Sequence, residues 1–241
     1  MTQASETLDP LFVNHLAFLA AHRGTVRIDA AGIHVDSDIP GFTSWTPWNE
    51  ETPVPREAEA VRLVPGCGTG WGERLAALGF APAEMLSYME AGTLVLAHRA
   101  PAQIARAVGD AGGRAFADVQ FRGFVEPGED DADYWRDRFA AVALANVDRA
   151  DQSFLIAETD GAPAAVALVV HAGGVDGLYA VATPPEHRRK GLSFALLAAA
   201  YDTAKRGGRR LILQAMKGSY AEGFYTRAGF ALCYESQVHR R

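Results

Sequence analysis

The most informative segment of the chain for its fold is Gly177-Leu-Tyr-Ala-Val-Ala-Thr-Pro-Pro-Glu-His-Arg-Arg-Lys-Gly-Leu-Ser-Phe-Ala-Leu-Leu197. An apolar run, a basic turn and an Ala- and Leu-rich run predict a strand, a turn and a helix. A helix that begins at such a turn directs unpaired backbone N–H groups, and the positive end of its dipole, at one spot. Gly191 lets the main chain approach an anion, and Arg188, Arg189 and Lys190 add formal charge. The stretch therefore predicts a phosphate-binding turn.

The residues after this turn continue the alternation of helix and strand. Their periodicity predicts a helix over 192–204, a strand over 210–216, a helix over 219–228 and a strand over 231–238. Glycines at 207, 208 and 229 stop the two helices. The result is a compact α/β unit with one ligand-binding end. For the turn taken alone, the alternative is a basic surface loop before an ordinary helix.

Two motifs in this region resemble those of the GCN5-related N-acetyltransferases (GNATs). The segment from Val181 to Ser193 resembles the acyl-CoA pyrophosphate loop of that family, Arg/Gln-x-x-Gly-x-Gly/Ala. Ala221-Glu-Gly-Phe-Tyr-Thr-Arg-Ala-Gly-Phe230 resembles its second signature, Ala-x-x-x-Tyr-x-x-x-Gly-Phe. Ser193 stands where Gly or Ala is usual. Because Ser is small enough to keep the loop close to phosphate, we expect binding to survive this departure.

The resemblance covers about residues 113–241 and implies the acyl-CoA N-acyltransferase fold, a mixed, twisted sheet with flanking helices. It implies an enzyme that moves an acetyl group from acetyl-CoA to an amine of a small molecule or peptide by direct attack. Such a transfer needs a neutral amine, a polarised carbonyl and a protonated leaving thiolate. The alternative is a module that binds acyl-CoA, or regulates through it, without catalysis.

The resemblance also implies the residues of the site. The strand before the loop would splay from its neighbour and bind the thioester and pantetheine through free backbone groups. Tyr225 occupies the general-acid position beside the sulfur; the alternative is an ordinary tyrosine packed on the sheet. The expected acetyl-CoA contacts are Val181, Ala182, Thr183, Arg188, Arg189, Lys190, Gly191, Leu192 and Ser193.

No pattern identifies the general base. Glu158, His171 and Tyr179 lie on predicted strands near the expected cleft, and Glu222 lies on the last helix. Each is more often a structural or solvent-facing residue, and a chain of water molecules can replace a side-chain base. The identity of the general base therefore stays open.

The first half of the chain is predicted to form a smaller α/β lobe. Its pattern predicts a helix after Asp9-Pro10, strands over 25–30, 32–36, 45–48, 61–64 and 83–89, and a helix over 71–78. The segment 74–88 parallels 225–236, since in both a helix ends at Gly-Phe and a strand follows. We therefore expect residues 1–95 to be a degenerate acetyltransferase-like lobe without the cofactor loop, preceding a catalytic domain at 113–241 in a tandem arrangement.

A glycine-rich segment in the first half offers a different interpretation. Val61-Arg-Leu-Val-Pro-Gly-Cys-Gly-Thr-Gly70 resembles the nucleotide loop of S-adenosylmethionine-dependent methyltransferases. That fold needs several more strand–helix units, and about fifty residues before the transferase region hold one or two of them. A complete methyltransferase domain does not fit.

The residues between and within the two halves complete the expected order of elements. We predict a strand over 93–97, a helix over 101–108, a strand over 115–124, a helix over 131–145 and a meander over 153–183. The acidic segment 126–133 complements the dipole of the helix that it opens, and attraction of a cationic amine is the alternative.

Composition limits the classes of function. With 241 residues, 49% of them hydrophobic, the chain can bury a large core. A net charge of −6 argues against a nucleic-acid partner, and no Cys/His cluster has metal-ligand spacing. The lack of a long apolar run or a signal-peptide pattern predicts no membrane association and a cytoplasmic protein. Cys67 and Cys233 are expected to be free thiols. Two fused lobes can replace a dimer, so a monomer and a homodimer both stay open.

Overall fold

The computed structural model of the chain describes residues 8–95, 100 and 102–241. In these residues, six α-helices flank one open sheet of eleven strands. The helices are α1 (Pro10–His22), α2 (Trp71–Ala77), α3 (Gly109–Phe124), α4 (Ala132–Asn146), α5 (Leu192–Arg206) and α6 (Tyr220–Ala228). The strands are β1 (Thr25–Asp29), β2 (Gly32–Asp36), β3 (Ser44–Thr46), β4 (Ala60–Leu63), β5 (Ala81–Ala91), β6 (Gln103–Arg106), β7 (Gln152–Thr159), β8 (Ala162–Ala172), β9 (Val175–Ala182), β10 (Arg210–Met216) and β11 (Phe230–Arg240).

The sheet mixes parallel and antiparallel neighbours in the order β1-β2-β3-β4-β11-β5-β10-β9-β8-β7-β6. The pairs β9–β10 and β3–β4 are parallel, and the other neighbouring strands are antiparallel where their register is defined. This architecture confirms the predicted α/β class with a mixed sheet and flanking helices.

Helices cover the centre of the sheet on both faces. The residues of β8 from 164 to 170 are all buried, as is typical of a strand packed between two layers. From 166 to 170 its even-numbered side chains, such as Leu168, face a core shared with α1 and α3, and its odd-numbered ones, such as Val169, face α5. Each large apolar side chain buried this way contributes about 1.5–3 kcal/mol to stability. The centre of the sheet is therefore buried by a separate core on each face.

The N-terminal half supplies a strand to the middle of this sheet. β5 lies between β10 and β11 and is antiparallel to both. The two strands of the internal repeat, β5 and β11, are thus neighbours. Each follows a helix that ends at a left-handed glycine, Gly79 with φ 83° and Gly229 with φ 102°. The first half is therefore part of the sheet that carries the anion-binding turn, and the division into lobes at residues 95 and 113 stays a prediction.

The strand predicted over 115–124 is wrong, because these residues belong to α3. Phe116, Val119 and Gln120 are buried at helical spacing, which short-range alternation had obscured. Gly113 lies inside the helix rather than in a break. A Cβ at this position would stand 3.4 Å from Leu144 of α4 and from Val147, which follows that helix, so the glycine lets the two helices pack closely.

The helix predicted over 101–108 is also wrong. Residues 103–106 form the edge strand β6, whose backbone pairs with β7, and residue 101 lies outside the described part of the chain. Tertiary pairing with an exposed strand edge overrides the weak helical pattern. Of the strand predicted over 93–97, residues 93–95 are not strand, and the remainder lies outside the described residues.

The glycine-rich segment 61–70 does form a strand, a loop and a helix, but its loop surrounds a carboxylate of the protein itself. Glu50 accepts hydrogen bonds from the Gly70 N–H, at 2.8 Å, and from the Thr69 N–H. These two bonds lower the pKa of Glu50. A Cβ on Gly68 would overlap the Glu50 side chain. Because Glu50 occupies the Thr69 and Gly70 N–H groups, these amides are not free to bind a cofactor, and the loop does not favour the methyltransferase interpretation.

Candidate active site

A cavity of about 920 Å³ opens at the end of β9, beside the first turns of α5 and α6. It brings together the two motifs that the sequence places on either side of α5 and β10. Its lining includes Val181, Ala182, Thr183, Arg188, Arg189, Gly191, Leu192, Ser193 and Tyr225. Of the residues predicted for the site, Lys190 lies outside this lining.

The basic turn has the conformation of an anion-binding loop. After a 3₁₀ turn over Pro185–His187, Arg189 and Gly191 take left-handed conformations with φ of 62° and 79°. This conformation costs a residue other than glycine about 1–2 kcal/mol. Gly191 is the N-cap of α5, and no side chain in the described part of the chain caps that helix. The helix therefore presents its positive end to the cavity through Leu192 and Ser193.

Side-chain contacts fix the two ends of the loop. The hydroxyl oxygens of Thr183 and Ser193 lie 3.1 Å apart, at hydrogen-bonding distance. Arg188 donates from Nε to the Thr183 carbonyl at 3.0 Å and from Nη2 to the Gly123 carbonyl at 3.2 Å. Ser193 thus has a structural contact that Gly or Ala could not make, and Arg188 ties the loop to the end of α3.

The charges around the cavity are positive. Arg188, Arg189 and Arg227 line it, and none of the described lining residues is acidic. Glu186, the carboxylate within the loop, is paired with Arg122 at 2.6 Å. At physiological ionic strength charges act over about 8 Å, so these arginines act on a ligand at the cavity itself. The arrangement suits a polyanion.

The strand that enters the loop separates from its neighbour where the cavity begins. β9 and β10 pair in parallel from Val175–Arg210 to Leu178–Leu213, and no pairing between them continues past that point in the described residues. A bulge places Ala180 at φ 48°, while β10 continues its ladder with β5 as far as Met216. A gap therefore opens between residues 179–182 and 214–216. The backbone groups of β9 that face it are not used by β10.

Tyr225 lies on α6, half-buried in the cavity wall. Its ring contacts those of Phe224 and Phe230, with centroids 5.2 and 5.7 Å away. Burial raises the pKa of Tyr225 above its ordinary value, so the hydroxyl keeps its proton at neutral pH. The geometry is compatible with a proton donor in the cavity.

None of the four residues considered for the general base lines this cavity. His171 bonds Asp176 at 2.8 Å and Ser153 at 3.0 Å at the far end of β9, about 17 Å from Val181 at the usual rise per strand residue. Tyr179 is on β9 near the gap, but it is buried and donates its hydroxyl proton to Asn14 at 2.8 Å.

The two acids considered for the same role are engaged or distant. Glu222 accepts hydrogen bonds from Ser87 and from the Gly218 N–H, at 2.6 Å. Glu158 ends β7, two strands away from β9. Neither acid lines the cavity.

Several lining residues are missing from the sequence prediction. On α6, Tyr220, Phe224 and Arg227 follow the spacing i, i+4, i+7, so the helical period would have placed them on one face. Gly123 is needed where α3 meets β9, because a Cβ there would approach that of Ala182 to 2.8 Å. That contact joins distant segments and leaves no signal in the sequence.

Comparisons with known proteins agree with this geometry. Residues 116–230, a little less than half of the chain, match the model of the acetyltransferase (GNAT) family. No curated protein matches the chain significantly.

Solved structures show the same fold at low sequence identity. The chain is similar to a GCN5-related N-acetyltransferase from Kribbella flavida, with a TM-score of 0.66 and 17% identity over 97% of this chain and 96% of that one. It is also similar to a functionally unknown conserved protein from Staphylococcus epidermidis, with a TM-score of 0.57 and 14% identity over 76% and 72%. A GCN5-related N-acetyltransferase from Sphaerobacter thermophilus gives 0.57 and 17% over 76% and 59%.

Among the described residues, no helix is long and apolar enough to cross a bilayer. The same residues contain no group of three or more His, Cys, Asp or Glu side chains placed to hold a metal ion.

Proposed function

We propose that this protein transfers an acetyl group from acetyl-CoA to an amine of a small molecule or peptide, by direct attack of the amine on the thioester. The observation that carries the proposal is the gap between β9 and β10, which opens beside the uncapped N-terminus of α5 in a cavity of about 920 Å³. The N-terminus of α5 suits a diphosphate, the cavity accommodates an extended chain, and the gap can hold a reacting thioester.

The loop would hold the diphosphate of the coenzyme. Backbone N–H groups at Gly191, Leu192 and Ser193 would donate to its oxygens, and Arg189 and Arg227 would balance its charge. The pantetheine arm would lie along β9 at Val181, Ala182 and Thr183, where the splayed backbone offers donors and acceptors.

The chemical step would take place in the gap. The neutral amine attacks the thioester carbonyl, a C–N bond forms, and the C–S bond breaks as the tetrahedral intermediate collapses. Backbone N–H groups of β9 would stabilise the oxyanion of this intermediate. The departing thiolate would take the proton of Tyr225, and the proton lost by the amine would pass to water.

The N-terminal half has a structural part in this proposal. Residues 1–95 would act as a degenerate lobe that binds no coenzyme, completes the sheet with β5 and walls the acceptor side. A coenzyme bound within residues 1–95 would contradict this division.

Gly191→Val tests the cofactor site. A β-branched residue at φ 79° is strained and places its side chain where the main chain must approach phosphate. We expect the Kd for acetyl-CoA, measured by calorimetry, to rise at least about tenfold, or about 1.4 kcal/mol. Gly161→Val is the matched control, because Gly161 is left-handed too, with φ 76°, in the β7–β8 turn with nothing within 4 Å of its Cβ position.

Equal coenzyme affinities for the two valine variants would refute the cofactor site. Thiol release from acetyl-CoA with a panel of amines tests catalysis separately. Binding without thiol release for any amine would favour the alternative of a non-catalytic acyl-CoA-binding module.

A further inference from the structure

A group of buried polar side chains lies under α1, on the sheet face opposite to Tyr225. We call His15, Arg62, Tyr88, Gln214 and Ser236 the buried polar cluster. In each, a side-chain nitrogen or oxygen is enclosed by protein and no partner among the described residues meets hydrogen-bond geometry, although Gln214 lies close enough to His15 and Tyr179 to shift their pKa values. Such groups are normally satisfied in a folded protein, so this concentration points to a ligand.

The cluster begins at the gap between β9 and β10. Gln214 is the first residue of β10 beyond the paired region, and its cross-strand neighbour on β5 is Tyr88. Tyr179, on the β9 side of the gap, faces the same core as Tyr88, whereas Tyr225 belongs to the core on the other face. A thioester held in the gap from the Tyr225 side would therefore present its carbonyl to Gln214 and Tyr88.

Arg62 gives the cluster a specific charge. Its side chain is 6% exposed, and neither Nε nor Nη1 has a partner. A buried guanidinium without a counter-charge is strongly unfavourable, and a carboxylate is its best geometric match. Asp9 is nearby but already accepts hydrogen bonds from the Leu11 N–H at 2.9 Å and the Tyr234 hydroxyl at 3.0 Å. Asp9 forms no ion pair with Arg62.

The cluster also favours an uncharged amine. Burial, followed by the positive charge of Arg62, lowers the pKa of His15 to about 3, so this imidazole is neutral at neutral pH. An ammonium group beside Arg62 would be disfavoured for the same reasons. The Arg62 end of the cluster therefore suits an anionic group and not a protonated amine.

A second cavity lies on the side of the cluster where Asp9 and Tyr234 are found, although no residue of the cluster lines it. It has a volume of about 370 Å³, and Asp9, Phe12 and Val64 are among its lining residues. Asp9 bonds Tyr234, whose ring stacks on Tyr88 with centroids 4.6 Å apart. The volume suits a small molecule rather than a folded partner.

We propose that the acceptor is a small amine that also carries a carboxylate, that it enters through this second cavity, and that Arg62 binds its carboxylate while the amine reaches the gap. This inference rests on the proposed acetyl transfer and names its substrate class. Three strand spacings, about 14 Å, separate β4 from β10, and the arginine side chain spans about half of that distance. Several bonds should therefore separate the amine from the carboxylate.

The test uses ω-amino acids from glycine to aminohexanoate, each beside its carboxamide, in the acetyl-CoA thiol-release assay. For wild type we expect kcat/KM at least tenfold higher for the longer carboxylates than for their amides. Arg62→Met should reduce this preference to less than twofold. Arg56→Met, at an exposed arginine of the same half, should keep the wild-type preference.

Two measurements separate the outcomes. Calorimetry with acetyl-CoA should give the same Kd for Arg62→Met and wild type, since Arg62 lies outside the coenzyme cavity. Turnover without a carboxylate preference, or a preference that survives Arg62→Met, overturns the Arg62 assignment and leaves acetyl transfer standing. Absence of both coenzyme binding and thiol release overturns the proposed function and this inference with it. If Arg62→Met does not fold, Arg62→Lys, which keeps the charge but not the planar fork, should still raise KM for the carboxylates alone.

Discussion

Removing one hydroxyl, with Tyr225→Phe, separates catalysis from binding at the proposed active site. The ring keeps its contacts with Phe224 and Phe230, and no described residue hydrogen-bonds the hydroxyl. Folding stability should therefore change by less than about 1 kcal/mol. The coenzyme would still meet the same loop and the same β9 backbone, so the Kd for acetyl-CoA should stay within about twofold of wild type.

The expected loss is in turnover. A positioned proton donor contributes about 10²- to 10⁴-fold to such a step, or about 3–5 kcal/mol in activation free energy. We expect kcat for Tyr225→Phe to fall at least about 100-fold at saturating acetyl-CoA. Because burial raises the pKa of Tyr225, the wild-type hydroxyl stays protonated through about pH 9, and kcat should show no loss of this acid below that pH.

Steady-state thiol release, with the amine that proves most active, measures both quantities. Tyr220→Phe is the matched control: Tyr220 is on the same helix, lines the same cavity and is 84% exposed, so its hydroxyl should not matter for the chemical step. Wild-type turnover in Tyr225→Phe would remove Tyr225 from the mechanism. A fall in acetyl-CoA affinity instead of turnover would assign it to binding.

Two further predictions concern folding and loop position. Burial is the main cause that lowers the pKa of His15 and His22 below that of the unfolded chain, to about 3 and about 4, so stability is full above pH 6.5 and is lost as pH falls below it. Urea unfolding at pH 7 and pH 5 should differ by about 2 kcal/mol for each histidine, and His22→Gln should remove its share; an unchanged pH dependence would contradict this. Gly123→Val would bring its Cβ to 2.8 Å from the Cβ of Ala182 and displace the loop, so both the melting temperature and the acetyl-CoA affinity should fall. Gly128→Val is the control, because no atom lies within 4 Å of a Cβ at Gly128, and it should lower neither quantity more than slightly.

The helices and strands of the C-terminal unit could be predicted from the sequence alone. The helix and strand predictions from 192 to 238 match α5, β10, α6 and β11, because local periodicity and glycine stops act within each element. The form of the basic turn could also be predicted, since Gly191 and the residues around it are contiguous. Eight of the nine predicted coenzyme contacts line one cavity together with Tyr225.

Elements whose form depends on a distant partner were decided by the tertiary structure. The segment 103–106 is a strand because its backbone can pair with the edge strand β7. The segment 109–124 is a helix because its apolar side packs against the sheet and α4. The insertion of β5 between β10 and β11 likewise depends on pairing across more than half of the chain.

The buried polar cluster shows the same division most clearly. Arg62, Tyr88 and Gln214 lie on three separate strands and share no motif, so their proximity follows from strand order alone. Backbone propensity and motif spacing are properties of neighbouring residues. A cavity, an unpaired buried charge and a gap between strands are properties of surfaces that meet only when the whole sheet has formed.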